Sequence, residues 1–206
     1  MTPALTIEFC DGLLERIGAD LAVVGWAPED RPLRGAAGRV DWRLCGELWT
    51  LCSSEKLSGA VGDAVLLPTG GALHAPLLLA VGLGARSDLG VGVWREVGRD
   101  ALSRALGLRV ERVALALASD AVESHPQGLE ALLCGAAMAM AEREGRMRVL
   151  LVQTEGEPAL SSLGSLGLEG FPPGVEVRIA GSPELSTVNG LSQVSELLAF
   201  EKKEPL

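Results

Sequence analysis

Three short, predominantly apolar runs, Leu21–Trp26, Val113–Ala118 and Met147–Val152, most constrain the fold of this chain. Each is four to eight residues long, too short for a core helix, and has the length of a strand buried on both faces. Between the last two runs and before them lie segments of helical period. Asp88–Leu106 puts Trp94, Val97, Gly98, Ala101, Leu102 and Ala105 on one side and Arg95, Arg99, Asp100, Ser103 and Arg104 on the other. Pro126 sits well as a first helical residue, and a helix from there to about Glu144 presents Leu129, Leu132, Leu133, Ala136, Ala137 and Met140, a face of small residues that packs closely on a sheet. Strands alternating with helices predict an α/β sandwich around a mostly parallel sheet.

The remaining segments fill in this outline. Leu5–Phe9 alternates apolar and polar residues and predicts a first strand at a sheet edge. Ala64–Pro68 and Leu77–Gly82 predict two strands joined by Thr-Gly-Gly-Ala-Leu-His, in which Gly70 and Gly71 supply the positive φ of a tight turn. From about Asp41 to Ser53 one helix is expected. On its wheel Val40, Trp42, Leu44, Cys45, Leu48, Trp49, Leu51 and Cys52 share a broad apolar arc, which predicts Trp42 and Trp49 in the core and both thiols buried. Asp41 falls in that arc, so its expected role is the N-cap, with Val40 stapled against Cys45. Beyond Thr154 the patterning weakens. Val175–Ile179 alternates as an edge or antiparallel strand does, and Gln193–Phe200 suits a short final helix. The expected division is a domain over residues 1–154, with 155–206 an extension that completes it by a last strand and helix.

Composition excludes several classes of function. The net charge is −9, and the arginines at 31, 34, 39 and 43 are interrupted by Asp30 and Asp41, which disfavours nucleic acid. With no tyrosine and seven Phe and Trp, a base-stacking platform is hard to assemble. Hydrophobic residues reach 48%, yet the longest uncharged apolar run, Ala75–Ala85, falls short of the roughly 20 residues that span a bilayer. The start lacks a basic region followed by an apolar one. A cytoplasmic protein with reduced cysteines at 10, 45, 52 and 134 is expected, since no Cys-x-x-Cys spacing occurs.

No constellation in the chain carries a reaction by itself. His74 belongs to a turn and His125 to a helix entry, and neither lies by a cysteine or a paired carboxylate. Asp20, Asp30, Asp41, Asp63, Asp88, Asp100 and Asp120 are dispersed and suit caps and loops, and Glu142–Arg143–Glu144 and Glu201–Lys202–Lys203–Glu204 suit solvated helix ends. Gly164-Ser165 lacks the Gly-x-Ser-x-Gly spacing of a nucleophile elbow. One glycine pair, Gly82 and Gly84, ends a strand and is the candidate for a phosphate approach, but Ser87 stands where the dinucleotide fingerprint needs a third glycine. A tight strand-to-loop turn is the alternative. No catalytic residue, metal ligand or cofactor is expected.

Two blocks carry a family likeness: Pro-Leu-Arg-Gly-Ala-Ala-Gly-Arg-Val-Asp-Trp-Arg-Leu at Pro32–Leu44, and Leu66–Pro68 paired with Leu-Leu-Leu-Ala-Val-Gly-Leu-Gly at Leu77–Gly84. Over roughly Leu21–Val152 the chain resembles the N-terminal domain of the leucyl aminopeptidases, the two-metal M17 peptidases. That resemblance implies a macro-domain-like, three-layer α/β/α sandwich. In the family the chemistry belongs to a following domain, where two metals are held around an Asn-Thr-Asp-Ala-Glu-Gly-Arg motif. This sequence contains no such motif, so no position inherits those roles. The resemblance implies a non-catalytic, stand-alone homologue acting as an interaction or assembly module, whose partner is a second copy or a full-length peptidase. A homo-oligomer follows from that expectation, with Leu191, Val194, Leu197, Leu198 and Phe200 as apolar contributors. The alternative it implies is a small-ligand module for ADP-ribose or another nucleotide.

Overall fold

The computed structural model describes residues 2–54, 56–117, 120, 125, 127–153 and 170–180. In chain order its elements are β1 (Ala4–Asp11), β2 (Leu21–Trp26), α1 (Gly35–Arg43), α2 (Glu47–Ser53), β3 (Ala64–Pro68), β4 (Leu77–Gly82), α3 (Val91–Gly107), β5 (Arg112–Ala116), α4 (Gly128–Arg143), β6 (Arg146–Gln153) and β7 (Glu176–Ala180). Single turns of 3₁₀ helix stand at Leu14–Arg16 and Arg86–Asp88. The strands form one sheet in the order β3-β4-β2-β5-β6-β1-β7. Every neighbouring pair is parallel except β3 with β4. Pro68, which cannot donate to a ladder, sits at the end of β3, the sheet's antiparallel edge.

Alternation along the strands divides the interior in two. Leu21, Val23, Leu79, Val81, Val113, Leu115, Val149 and Leu151 face the layer made by α3 and α4. Ala22, Val24, Leu78, Ala80, Ala114, Leu150 and Val152 face the layer that holds α1 and α2, together with Leu14. The protein is thus a three-layer α/β/α sandwich on a mostly parallel mixed sheet. On the first side the helices approach closely because two glycines meet backbone. A methyl group at Gly98 would overlap the carbonyl of Leu132, and one at Gly135 the carbonyl of Arg95. The small residues of α4 therefore serve helix–helix contact as well as contact with the sheet. Trp94 is completely buried between these layers. Among the described residues, no helix is long and apolar enough to cross a membrane.

Several sequence-based expectations are corrected. The helix expected over Asp41–Ser53 is two helices. Leu44 ends the first, and Cys45 (φ +54°) and Gly46 (φ +81°) turn the chain through the left-handed region before the second begins. The break resets the helical phase, so the wheel drawn across it placed side chains wrongly. Trp42 is 78% exposed, Cys45 is exposed and Trp49 is half-buried, while Val40, Leu48 and Cys52 are buried. Val40 and Cys45 therefore form no buried staple. Asp41 does cap a helix, but not its own. Its Oδ1 accepts the N–H of Trp49 at 2.9 Å, in the first turn of α2.

The edge expected at β1 is also displaced. β1 lies between β6 and β7, and the described edge on that side is β7, which runs parallel to β1 rather than antiparallel. β1 alternates because one of its faces is buried and the other carries charge, not because it lacks a neighbour. Pro126, Gly164-Ser165, the helix expected at Gln193–Phe200, its apolar residues from Leu191, and the Glu201–Glu204 cluster lie outside the described residues.

Candidate functional site

In an open parallel sheet, the crevice that can hold a ligand opens at the carboxyl ends of neighbouring strands whose connections leave toward opposite faces. Here β2 leads to α1 and α2 on one face, and its neighbours β4 and β5 lead to α3 and α4 on the other. The carboxyl end of β2 between β4 and β5 is therefore the candidate site. It carries Gly82 and Gly84 as well as Asp30, Arg86 and Asp120.

The two glycines are brought together there, but their backbone is already engaged. Gly82 N–H donates to Asp63 O at 2.8 Å, Leu83 N–H to Trp26 O at 2.9 Å and Gly84 N–H to Gly59 O at 2.8 Å. A side chain at Gly82 would collide with the carbonyl of Ala60. Gly84 adopts φ +77° with Val61 Cγ2 close by. Both residues let the 59–63 loop lie against the end of β4. This is the tight-turn alternative, and it leaves these three N–H groups no open valence for a phosphate.

The same end of the sheet is closed by charge. Asp30, 9% exposed, receives the N–H of Ala27 on Oδ2 at 2.9 Å, and Arg86 on both carboxylate oxygens. Hydrogen bonding to Asp30 holds the Arg86 guanidinium above the ordinary arginine range. Asp120 Oδ1 lies 3.8 Å from the far side of the same guanidinium. A bidentate pair of this kind fixes geometry. For Arg86 to receive an incoming anion it would have to leave a mostly buried carboxylate behind. The pattern was legible only as an isolated Asp and an isolated Arg 56 residues apart, which no spacing rule connects.

Of the other dispersed carboxylates, Asp20 and Asp63 take loop roles, whereas Asp100 lies within α3 and pairs with Arg104 one turn on at 2.8 Å. Asp20 Oδ2 accepts the N–H groups of Glu111 and Arg112, and Asp63 Oδ2 accepts those of Ser58 and Gly59 together with the Ser58 hydroxyl. Those bonds, the Ser58 hydroxyl foremost, hold the Asp63 carboxyl below its ordinary value. Glu142 pairs with Arg99 at 2.8 Å, and Arg143 donates to Ser103 Oγ, so the end of α4 is tied to α3. His74 is exposed, and His125 Nδ1 accepts the N–H of Gln127 at the entry to α4. Among the described residues no three His, Cys, Asp or Glu side chains gather as a metal site would require. Burial raises the Cys52 thiol above its ordinary value, and likewise Cys10.

A second feature was missed in sequence because it depends on the break after α1. An open cleft of about 550 Å³ is lined by Leu33, Arg34, Arg39, Trp42 and Arg43, with Glu15 at its floor. Glu15 is 6% exposed, and its Oε2 lies 4.0 Å from Arg39 Nε. The Arg43 guanidinium carbon stands 5.9 Å from the centroid of the Trp42 ring, within cation–π reach. The Trp42 indole thus faces solvent, with three arginines lining the same cleft.

Comparison with known proteins agrees with this architecture. The fold is similar to a tomato leucine aminopeptidase mutant at 20% identity and a TM-score of 0.58, over 75% of this chain and 34% of that one. The chain thus spans about a third of the tomato protein. It is similar to the macrodomain of Mycobacterium tuberculosis DarG at 15% identity and a TM-score of 0.56, over 74% of this chain and 98% of that one. A Trypanosoma brucei macrodomain in complex with ADP-ribose gives 17% identity and a TM-score of 0.57, over 71% of this chain and 63% of that one. At these identities the likeness establishes the fold alone. No curated protein matches the chain in sequence. The family model described as the N-terminal domain of the cytosol aminopeptidase family matches residues 22–142. That match takes in more than half of the sequence, from β2 through nearly all of α4, and so the chain belongs to the cytosol aminopeptidase family by way of that family's N-terminal domain.

Proposed function

We propose that this domain is a non-catalytic interaction module that engages protein through the exposed surface of α1. The observation that carries the reading is Trp42, 78% exposed and flanked by Arg34, Arg39 and Arg43 over an open cleft. Tryptophan and arginine are the residues that most often dominate binding energy at protein interfaces. The chain as a whole is acidic, with a net charge of −9, so a second copy offers the complementary sign. A symmetric homo-oligomer is one form of the complex. Association with a full-length peptidase of the same family is the other. The catalytic motif of that family is not in this sequence, and the family model matched is that of the N-terminal domain, which supports a role other than peptide hydrolysis. This reading places the protein in the cytoplasm.

Trp42→Ala tests the reading. Light scattering on the parent chain at high concentration is expected to give a mass above that of the monomer, and the variant is expected to return the monomer, with a melting temperature equal to the parent's at dilutions where both are monomeric. If both are monomeric, self-association fails. The peptidase partner is then checked by titrating both forms into a purified family member, and equal binding of the two would remove Trp42 from the interface.

Nucleotide binding is the second reading, supported by the likeness to a macrodomain crystallised with ADP-ribose. The engaged N–H groups of Gly82, Leu83 and Gly84 and the Asp30–Arg86 pair count against it. Calorimetric titration with ADP-ribose is expected to show no saturable heat. A low-micromolar dissociation constant lost in Gly84→Val would reverse the order of the two readings.

A further inference from the structure

Among the described residues, α1 and α2 cover one face of the sheet over only part of its width. On β5, β6, β1 and β7 its amino-terminal half carries charge. Arg112 is the register partner of Arg148, Arg148 of Thr6, and Thr6 of Arg178. Three guanidinium side chains and one hydroxyl therefore stand in a single row across four parallel strands. Residues alternate along each strand, so this row shares its face with Ala114 and Leu150, which lie in the second core cluster. Arg146, two residues before Arg148, adds a fourth guanidinium on the same face. All four arginines are exposed and line a cleft of about 530 Å³.

Like charges directly opposite one another on neighbouring strands repel. The neutralisation present is partial. Arg148 Nε pairs with Glu8 at 3.1 Å, and Arg178 pairs with Glu176 on its own strand. Among the described residues no carboxylate forms an ion pair with Arg112 or Arg146, although Glu111 also lines the cleft. An acidic chain thus gathers four of its 18 basic side chains at one end of one sheet, two of them without a counter-charge among the described residues.

We propose that this cleft binds a compact, multiply charged anion of the phosphate class. The guanidinium fork matches phosphate oxygens in bidentate fashion, and the Thr6 hydroxyl offers a further donor in the row. Neighbouring strands lie about 4.8 Å apart, so the row from Arg112 to Arg178 extends over about 15 Å. That length and the cleft's volume suit a short oligophosphate. An acidic polypeptide segment is less well matched, because the only apolar lining comes from Ala4 and the buried Met147, which give little to anchor a side chain. Its lining shares no residue with the cleft beside Trp42, and the proposal does not rest on the interaction reading.

Inorganic tripolyphosphate titrated calorimetrically into the 206-residue chain at low ionic strength is the test. Saturable one-site binding is expected, weakening as salt is raised. In Arg112→Gln/Arg146→Gln the affinity is expected to fall by about tenfold or more, since two charge-assisted partners are lost. The control Arg109→Gln, outside the cleft, leaves it unchanged. Without ligand, the double variant melts no lower than the parent, because two of four repelling charges are gone. The proposal is overturned by absence of saturable binding, by equal affinity in the double variant, or by a lower melting temperature of that variant without ligand. Equally tight binding of a short oligoglutamate, abolished by the same substitutions, would also overturn it and assign the face to an acidic protein segment.

Discussion

Arg86 Nη2 sits 2.8 Å from Asp30 Oδ1 and 3.0 Å from Asp30 Oδ2, and this pair ties the loop after β4 to the loop after β2. Asp30 is nearly buried, while the Arg86 side chain is 42% exposed. The pair is therefore worth more than a surface ion pair and less than a fully buried one. Asp30→Ala is expected to cost about 2 kcal/mol in urea unfolding, because it also strips the Ala27 N–H of its acceptor. Arg86→Ala is expected to destabilise too, and the double variant to cost less than the two singles together, with a coupling of about 1 kcal/mol or more. Strict additivity would show that the two side chains act separately. Since Asp30 raises the arginine further above its ordinary range, the Arg86 half of the pair stays charged at every workable pH.

The tryptophans separate surface from core. Trp42→Ala is expected to change stability by less than about 0.5 kcal/mol, as at other exposed positions. Trp94→Ala, at a completely buried site, should cost about 3–5 kcal/mol. Trp94 Nε1 is buried with no hydrogen-bond partner among the described residues, so Trp94→Phe removes an unsatisfied donor along with some volume. It is expected to cost well under half of the alanine penalty. Urea midpoints at constant m value decide this, and a phenylalanine variant as damaged as the alanine one would show that volume alone governs the site.

Helix α3 lies against α4 at a distance that only glycine permits. Gly98→Ala is expected to destabilise by about 2 kcal/mol, although alanine gains about 1 kcal/mol in helix propensity. The obstacle is the Leu132 carbonyl, a backbone atom that cannot rotate away. Gly92→Ala, on the same helix with nothing near its Cβ, serves as the reference and should be neutral or stabilising. Thermal unfolding of the two variants side by side makes the comparison, and equal melting temperatures would remove the close approach from the account.

Asp63 gives the fold an acid-sensitive joint. Its carboxyl is held below the ordinary aspartate value, first by the Ser58 hydroxyl and then by backbone N–H groups of the loop. A depressed folded-state value means a contribution that is complete above the ordinary value of about 3.9 and is lost as pH falls through the folded one. The stability gap between the parent and Asp63→Asn is expected to be constant near neutrality and to close between about pH 4 and pH 2. In Ser58→Ala the Asp63 titration, followed by NMR, should move back up toward the ordinary value. An unmoved midpoint would assign the shift to the backbone donors alone.

Apolar runs and period determined much of this protein. Leu21–Trp26, Leu77–Gly82 and the runs at β5 and β6 are strands because a continuous Val, Leu and Ala sequence of that length has few other places to be buried, and α3 carries its core face at the expected positions. Gly70 and Gly71 take positive φ in the turn assigned to them. Such features depend on neighbours in sequence, and so sequence suffices for them. Tertiary structure alone decided the rest. Two consecutive left-handed residues, Cys45 and Gly46, put Trp42 in water while Cys52 stayed in the core, and cysteine at such a position carries no local signal. The outer neighbour of β1 comes from more than 160 residues downstream, so edge or interior was not a property of β1 itself. The Asp30–Arg86 pair and the row from Arg112 to Arg178 arise only when strand order and register bring distant residues side by side, because a parallel sheet sets its neighbours by crossover and not by sequence.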